Sequence, residues 1–306
     1  MNPIPLFLAL VVFASLFGYC LNYFFPRTRL TRGCLPGALQ LITGTTTAPG
    51  ATLTALTPAS GDSFQIRNFD APARAMLLAA WANNNVAGVF RFRSPLLHDS
   101  TNNVRLPVTV LNPVSLIGLT EAQPLISGDT LTLELSGSAV AGNIESAFLE
   151  VYYENLGNVR QKLITEDQLN QYGINKHTVE VDLTTGVAGG YSVGNPINTT
   201  FDTFHGRSYY AVLGGNTNVN TGAVGIRGID TANLRVAFPG SVTQNFMTSE
   251  FFVWLSRGMK MPAIPVFNAF NKGGVIVDTV QTQAGTAVNA HINLIELDPR
   301  VASLFE

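Results

Sequence analysis

Between Cys34 and Glu306 the chain consists of short apolar or alternating runs, each closed off by Gly, Pro, Asn, Thr or Ser, and this punctuation limits the folds open to it. In GDTLTLELSG, residues 128–137, Leu131, Leu133 and Leu135 alternate with Thr130, Thr132 and Glu134, the period of a strand with one buried face. SAFLEVYYENL (146–156), KHTVEVDL (176–183) and NLRVAF (233–238) read the same way. Helical patterns are few. APARAMLLAAW at 71–81 predicts about three helical turns, and TEDQLNQYG at 165–173 has a Thr cap, early acids and a terminal Gly. Neither alternates regularly with strands, which argues against a parallel α/β fold. The expectation is an all-β body whose 273 residues hold two sandwiches rather than one.

An internal repeat supports two units. AGNIESAFLEVYYENL (141–156) lies on AGTAVNAHINLIELDP (284–299) at a shift of 143, which places Ala147, Leu149 and Val151 on Ala290, Ile292 and Leu294. At a shift of 144, Leu131 and Leu133 fall on Val275 and Val277. Farther back, VFRFRSPLL (89–97) and FFVWLSRGM (251–259) are read as equivalent strands. The expected division is 1–33, 34–160 and 161–306.

Hydrophobic residues make up 46% of the chain, enough for a sizeable core, whereas Asp, Glu, Lys and Arg make up only 12%, about half of what soluble domains carry. The net charge of −2 lacks the basic excess of a phosphate binder, so direct nucleic-acid binding is not expected. Beyond residue 33 the balance is 15 basic to 20 acidic residues. Cys20 and Cys34 make neither a disulfide framework nor a metal site.

From Ile4 to Phe25 runs a segment with no Asp, Glu, Lys, Arg or His. As a helix its twenty-two residues reach about 33 Å, enough for a hydrocarbon core of about 30 Å. The expected anchor comprises Leu6, Phe7, Leu8, Leu10, Val11, Val12, Phe13, Leu16, Phe17, Leu21, Tyr23, Phe24 and Phe25, with Arg27, Arg29 and Arg32 placed for headgroups. A cleavable signal would want a charged start and a small-residue site, which are missing. A helix buried in protein is the other alternative.

The tandem of strand pairs, GDTLTLEL then ESAFLEVYYENL, resembles the double jelly-roll major capsid proteins of membrane-containing icosahedral viruses, such as the corticovirus and lipid-containing Flavobacterium phage types. The resemblance spans roughly residues 34–306 as a pattern, and the apolar start is longer than the terminal segments usual in that family. It implies two eight-stranded jelly rolls per subunit, homotrimeric pseudo-hexagonal capsomers over an internal membrane, and contacts with neighbouring capsomers and with penton or minor capsid proteins. It also implies a virion location. A membrane-tethered β-sandwich, acting as a binding module or surface filament, is the competing reading.

Low charge suits a subunit enclosed by neighbours. The expected contact anchors are Trp81, Trp254, Tyr152, Tyr153, Tyr209 and Tyr210, together with Arg91 and Arg93, which share the strand face opposite Phe90 and Phe92. Arg67 and Arg74 are further candidates to meet these arginines or a neighbour. For chemistry, His98, His177, His205 and His291 are too scattered for a metal pair, and the consecutive His98, Asp99 and Ser100 cannot converge as a triad. Asp62, Asp70, Asp99, Asp129, Asp202 and Asp230 sit in expected loops without calcium-loop spacing. No enzyme activity and no cofactor are expected.

Overall fold

Strands dominate the computed structural model, which describes residues 37–46, 50–59, 61–70, 73–83, 87–97, 104–108, 122–137, 145–157, 159–183, 189–197, 204–219, 221–240, 246–281 and 287–306. The predicted apolar anchor, Arg27, Arg29 and Arg32, and the stretch His98–Ser100 lie outside the described residues, as does Asp202. Among the described residues no helix is long and apolar enough to cross a membrane.

The first group of strands is β1 (Ala38–Thr46), β2 (Thr54–Ala55), β3 (Thr57–Pro58), β4 (Ala75–Asn83), β5 (Gly88–Arg93), β6 (Val104–Val108), β7 (Gln123–Leu125), β8 (Thr132–Ser136) and β9 (Glu145–Tyr153). They form two sheets, β3-β1-β9-β4-β7 and β2-β8-β5-β6. The second group is β10 (Leu163–Ile164), β11 (Gly173–Leu183), β12 (Asn195–Pro196), β13 (Tyr209–Thr217), β14 (Thr221–Arg227), β15 (Val236–Pro239), β16 (Ile264–Asn268), β17 (Ile276–Gln281) and β18 (Val288–Leu297). Its sheets are β11-β18-β13-β16-β10 and β12-β17-β14-β15. Setting β3 and β10 aside, the two groups have the same order: β1-β9-β4-β7 matches β11-β18-β13-β16, and β2-β8-β5-β6 matches β12-β17-β14-β15. Every pairing is antiparallel, and β4 and β13 each break register against their last strand, at Leu77/Ala79 and Val212/Gly214.

The strands detected as a repeat in sequence occupy equivalent places, since β8 and β9 correspond to β17 and β18. Ala147, Leu149 and Val151 face the first core with Ile42, Leu77, Phe90, Phe92 and Leu133. Ala290, Ile292 and Leu294 are buried in the second core. The third proposed equivalence fails. Residues 89–93 are strand, but Phe251–Met259 is an α-helix, α3, which follows α1 (Glu166–Tyr172) and α2 (Phe246–Ser249). Its first five residues, Phe251, Phe252, Val253, Trp254 and Leu255, form an unbroken apolar run of strand length, which in sequence reads equally as a buried strand. The helix predicted at 71–81 is instead the strand β4, buried on both faces from Leu77 to Asn83, where alternation disappears. At 165–173 the structure agrees with the sequence. Thr165 caps α1, its Oγ1 accepting from Gln168 N at 3.2 Å while Gln168 Oε1 accepts from Thr165 N at 2.9 Å.

The two repeats pack with the β1-β9-β4 sheet of the first against β14 and β15 of the second. Both run the same way. β1 begins and β9 ends together (Ala38 opposite Tyr153), as do β11 and β18 (Gly173 opposite Leu297), and we call this the basal end. Across the seam Leu39 meets Gln161, which also bonds the basal turn at Thr231, while toward the other end Trp81 meets Gly222.

Candidate functional site

Among the described residues, a dense arrangement of side chains lies in that seam. Strand β9 explains why. Its inward face fills the first core, and its outward face carries Phe148, Glu150 and Tyr152 into the second repeat, so all nine of its residues are buried. Trp81 donates from Nε1 to the Gly222 carbonyl at 2.9 Å, stacks on Phe148 at 5.3 Å and meets Phe251 edge-on at 5.6 Å. Gly222 permits this approach because a Cβ there would stand 2.3 Å from the Phe148 ring. Aromatic contacts of this kind add to an already large burial term.

Beside this apolar zone runs a polar network assembled from four distant parts of the chain. Arg235 donates from Nε and Nη2 to the two Asp278 oxygens at 2.9 and 2.8 Å, lies 3.7 Å from Asp62, and stacks over the Tyr191 ring at 3.4 Å. Tyr191 donates to Asp62 at 2.6 Å and shares a 2.7 Å hydrogen bond with Thr43, whose N–H also donates to Asp62 at 3.1 Å. Arg227 reaches Asp278 at 3.3 Å. Burial raises the Asp62 carboxyl above its usual range against the Tyr191 hydrogen bond and the Arg235 charge, and burial with the Asp62 charge pushes the Tyr191 phenol well up. For Arg235, burial opposes the charged form, yet the Asp278 hydrogen bonds and charge outweigh it, so the guanidinium is held charged.

Glu150 is different. It is fully buried in the seam, and among the described residues neither carboxylate oxygen has a hydrogen-bond partner; the Ala237 backbone faces it without reaching hydrogen-bond geometry. Burial raises its carboxyl well above the usual range. A carboxyl whose folded value is raised binds more protons folded than unfolded, so its contribution to stability is greatest at acid pH and falls as pH rises toward the folded value. Glu150→Gln is therefore expected to raise stability by about 1–3 kcal/mol at alkaline pH and far less at pH 5. Thermal melts of both proteins across that range check this; parallel pH profiles would sink it.

The sequence candidates separate clearly. Trp81 and Tyr210, expected as subunit contacts, are 1% and 0% exposed inside the chain, which removes them from that role; Tyr152 and Tyr153 are buried too. Trp254, on α3, and Tyr209, beside Phe305, are half-buried. Arg91 lies opposite Glu134 and pairs with it, while Phe90 and Phe92 fill the core as the alternation requires. Arg93 is half-buried opposite Thr132. Arg67 bonds Gln40 at 2.7 Å, and Arg74 lies 3.9 Å from Glu154.

Sequence reasoning missed one polar convergence. Glu296 accepts from Ser208 Oγ at 2.7 Å, contacts His205 Nδ1 at 2.8 Å and lies 3.5 Å from His177 Nε2. Burial works to raise its carboxyl, but the Ser208 and His205 hydrogen bonds prevail and hold it below the usual range. The Ser208 hydroxyl donates to the carboxylate, so the cluster ties the turn before β13 to the end of β18. Three of the loop aspartates weighed and set aside for calcium have side-chain partners within the chain, Asp62 in the network above and two others. Asp129 takes Ser94 and the Leu96 N–H, while Asp230 takes Lys162 at 2.5 Å, Asn268 N at 2.9 Å and Asn271 at 3.0 Å. Among the described residues no group of three or more His, Cys, Asp or Glu is placed to hold a metal.

No protein-family model matches the chain, and no curated protein matches it. Solved structures with some likeness include the PBSX exported protein XepA (TM-score 0.25, 8% identity, 86% of this chain and 87% of that one). Others are the major capsid protein P2 from Bacteriophage PM2 (0.21, 6%, 85% and 97%) and Sulfolobus Turreted Icosahedral Virus (0.17, 10%, 87% and 96%). At such TM-scores the likeness decides neither fold nor function, and the strand order rests on this chain's own pairings.

Proposed function

We propose that this is a structural virion protein, the major capsid subunit of a membrane-containing virus. In this reading residues 1–33 form a membrane-inserted helix with its basic flank, 34–160 a first jelly roll and 161–306 a second. What supports it is the same eight-strand order found twice, each time divided between two antiparallel sheets, as two jelly rolls would require. A seam of apolar contacts and a charged network then fixes the two units as one body.

Such a body has a mechanical use. Two similar sandwiches side by side give one subunit two similar outer edges, so three subunits close into a ring with six. Assembly needs interfaces without many unpaired charges, which suits the low content of Asp, Glu, Lys and Arg. Trp254, Tyr209, Arg91 and Arg93 are the contact candidates that retain exposed surface. The partners are further copies of the chain, penton or minor capsid proteins, and lipid through the N-terminal segment, with no direct nucleic-acid contact.

The test is the solution mass of residues 34–306 by light scattering on a size-exclusion column. A stable species of three times the chain mass is expected. A monomer at every concentration overturns the capsid reading in favour of a tethered β-sandwich that binds ligands or forms surface filaments.

A further inference from the structure

Exposed apolar side chains are ordinary when scattered, but here they are segregated. Of the eight large hydrophobic residues most exposed among those described, six lie at the basal end: Leu96, Leu97, Ile174, Ile229, Phe270 and Leu304. Leu96 and Leu97 follow β5 in the first repeat, and Ile229 follows the equivalent β14 in the second. Phe270 sits in the turn after β16, Ile174 at the start of β11, and Leu304 after the end of β18. Phe270 is 85% exposed and Ile229 is 66% exposed. They cap neighbouring turns that Asp230 ties together through Asn268 and Asn271, so both are held outward on a fixed base. Val89 lies at the opposite end and Val193 along the β12 edge.

Arg160 and Arg207, both exposed, also lie in basal connections, before β10 and before β13, and make no ion pair among the described residues. The chain enters β1 at this end too, at Gly37. Only residues 26–36 separate it in sequence from the apolar run 4–25.

We infer that the body itself, and not only the N-terminal segment, rests on a lipid bilayer. The basal apolar tips enter the interfacial layer, and Arg160 and Arg207 meet anionic headgroups. Apolar tips on rigid turns lose little entropy on insertion, and basic residues beside them add attraction to anionic lipid. This inference rests on the membrane reading of residues 4–25 given above. It adds an orientation: strands upright on the membrane, basal end down.

The experiment uses the full chain in vesicles of phosphatidylcholine and phosphatidylglycerol with brominated acyl chains. Phe270→Trp and Leu96→Trp place reporters at the basal end, Val193→Trp places one away from it, and the unsubstituted chain supplies the Trp81 and Trp254 background. Flotation with the vesicles, and roughly twofold stronger quenching of the two basal reporters than of the Val193→Trp reporter, is the expected result. Flotation with equal or absent quenching overturns the inference while leaving N-terminal anchoring intact. A chain that does not float overturns both.

Discussion

Replacing Trp81 with alanine is expected to destabilise the body by about 3–5 kcal/mol, the range for deleting a large buried aromatic. The residue is 1% exposed and belongs to neither repeat's private core: its ring lies between Phe148 of the first repeat and Phe251 of the second. The substitution leaves a cavity at the seam and strips the Gly222 carbonyl of its closer donor, leaving it only Gly240 N at 3.4 Å. Trp81→Phe separates these effects, since it keeps most of the packing and loses the hydrogen bond, for an expected cost of about 1–2 kcal/mol. Urea denaturation followed by circular dichroism measures both. Because the lost contact spans both repeats, they are expected to unfold in a single transition. A cost for the alanine variant under about 1 kcal/mol would show that something other than this apolar zone joins the repeats.

Much of the architecture was legible in the sequence because one-face burial leaves a period of two. Leu131, Leu133 and Leu135 announced β8, and the alignment of Leu149 and Val151 with Ile292 and Leu294 identified two strands that occupy the same position in each repeat. Where burial is two-sided the signal failed. β4 and α3 exchange their predicted classes because an alanine-rich strand covered on both faces looks helical, and an aromatic helix buried over its first turn looks like a strand. Glu150 shows the same limit. Its alternation with Leu149 and Val151 correctly points it away from the first core, but no local pattern reveals that the second repeat covers that outward face. The polar network was invisible for a related reason. Thr43, Asp62, Tyr191, Arg235 and Asp278 come from segments whose convergence depends on how the repeats dock.

That network supplies the second large effect. Arg235→Ala is expected to cost about 3–5 kcal/mol, the penalty for breaking a buried ion pair from one side. Asp278 and Asp62 have side chains 1% and 8% exposed; Arg227 keeps a 3.3 Å contact with Asp278, which places the cost toward the lower end. Arg235→Lys retains the charge but not the fork that engages both Asp278 oxygens while lying flat on Tyr191, and should recover only part of the loss. The pH dependence has a definite sign. Arg235 holds the Asp62 carboxyl down against burial, so without it that carboxyl rises further. The variant's deficit should therefore shrink as pH falls and Asp62 takes up a proton sooner than in the unsubstituted chain. The decisive measurement is a double-mutant cycle with Asp278→Ala. If the pair joins the seam as a unit, the double variant loses at least about 1 kcal/mol less than the sum of the single variants. Additive losses would mean that the apolar zone alone sets the docking. Since a salt bridge this buried adds little net stability over apolar replacements, its value to the body is orientation, because bidentate pairing tolerates one alignment of the repeats where an oily seam tolerates several.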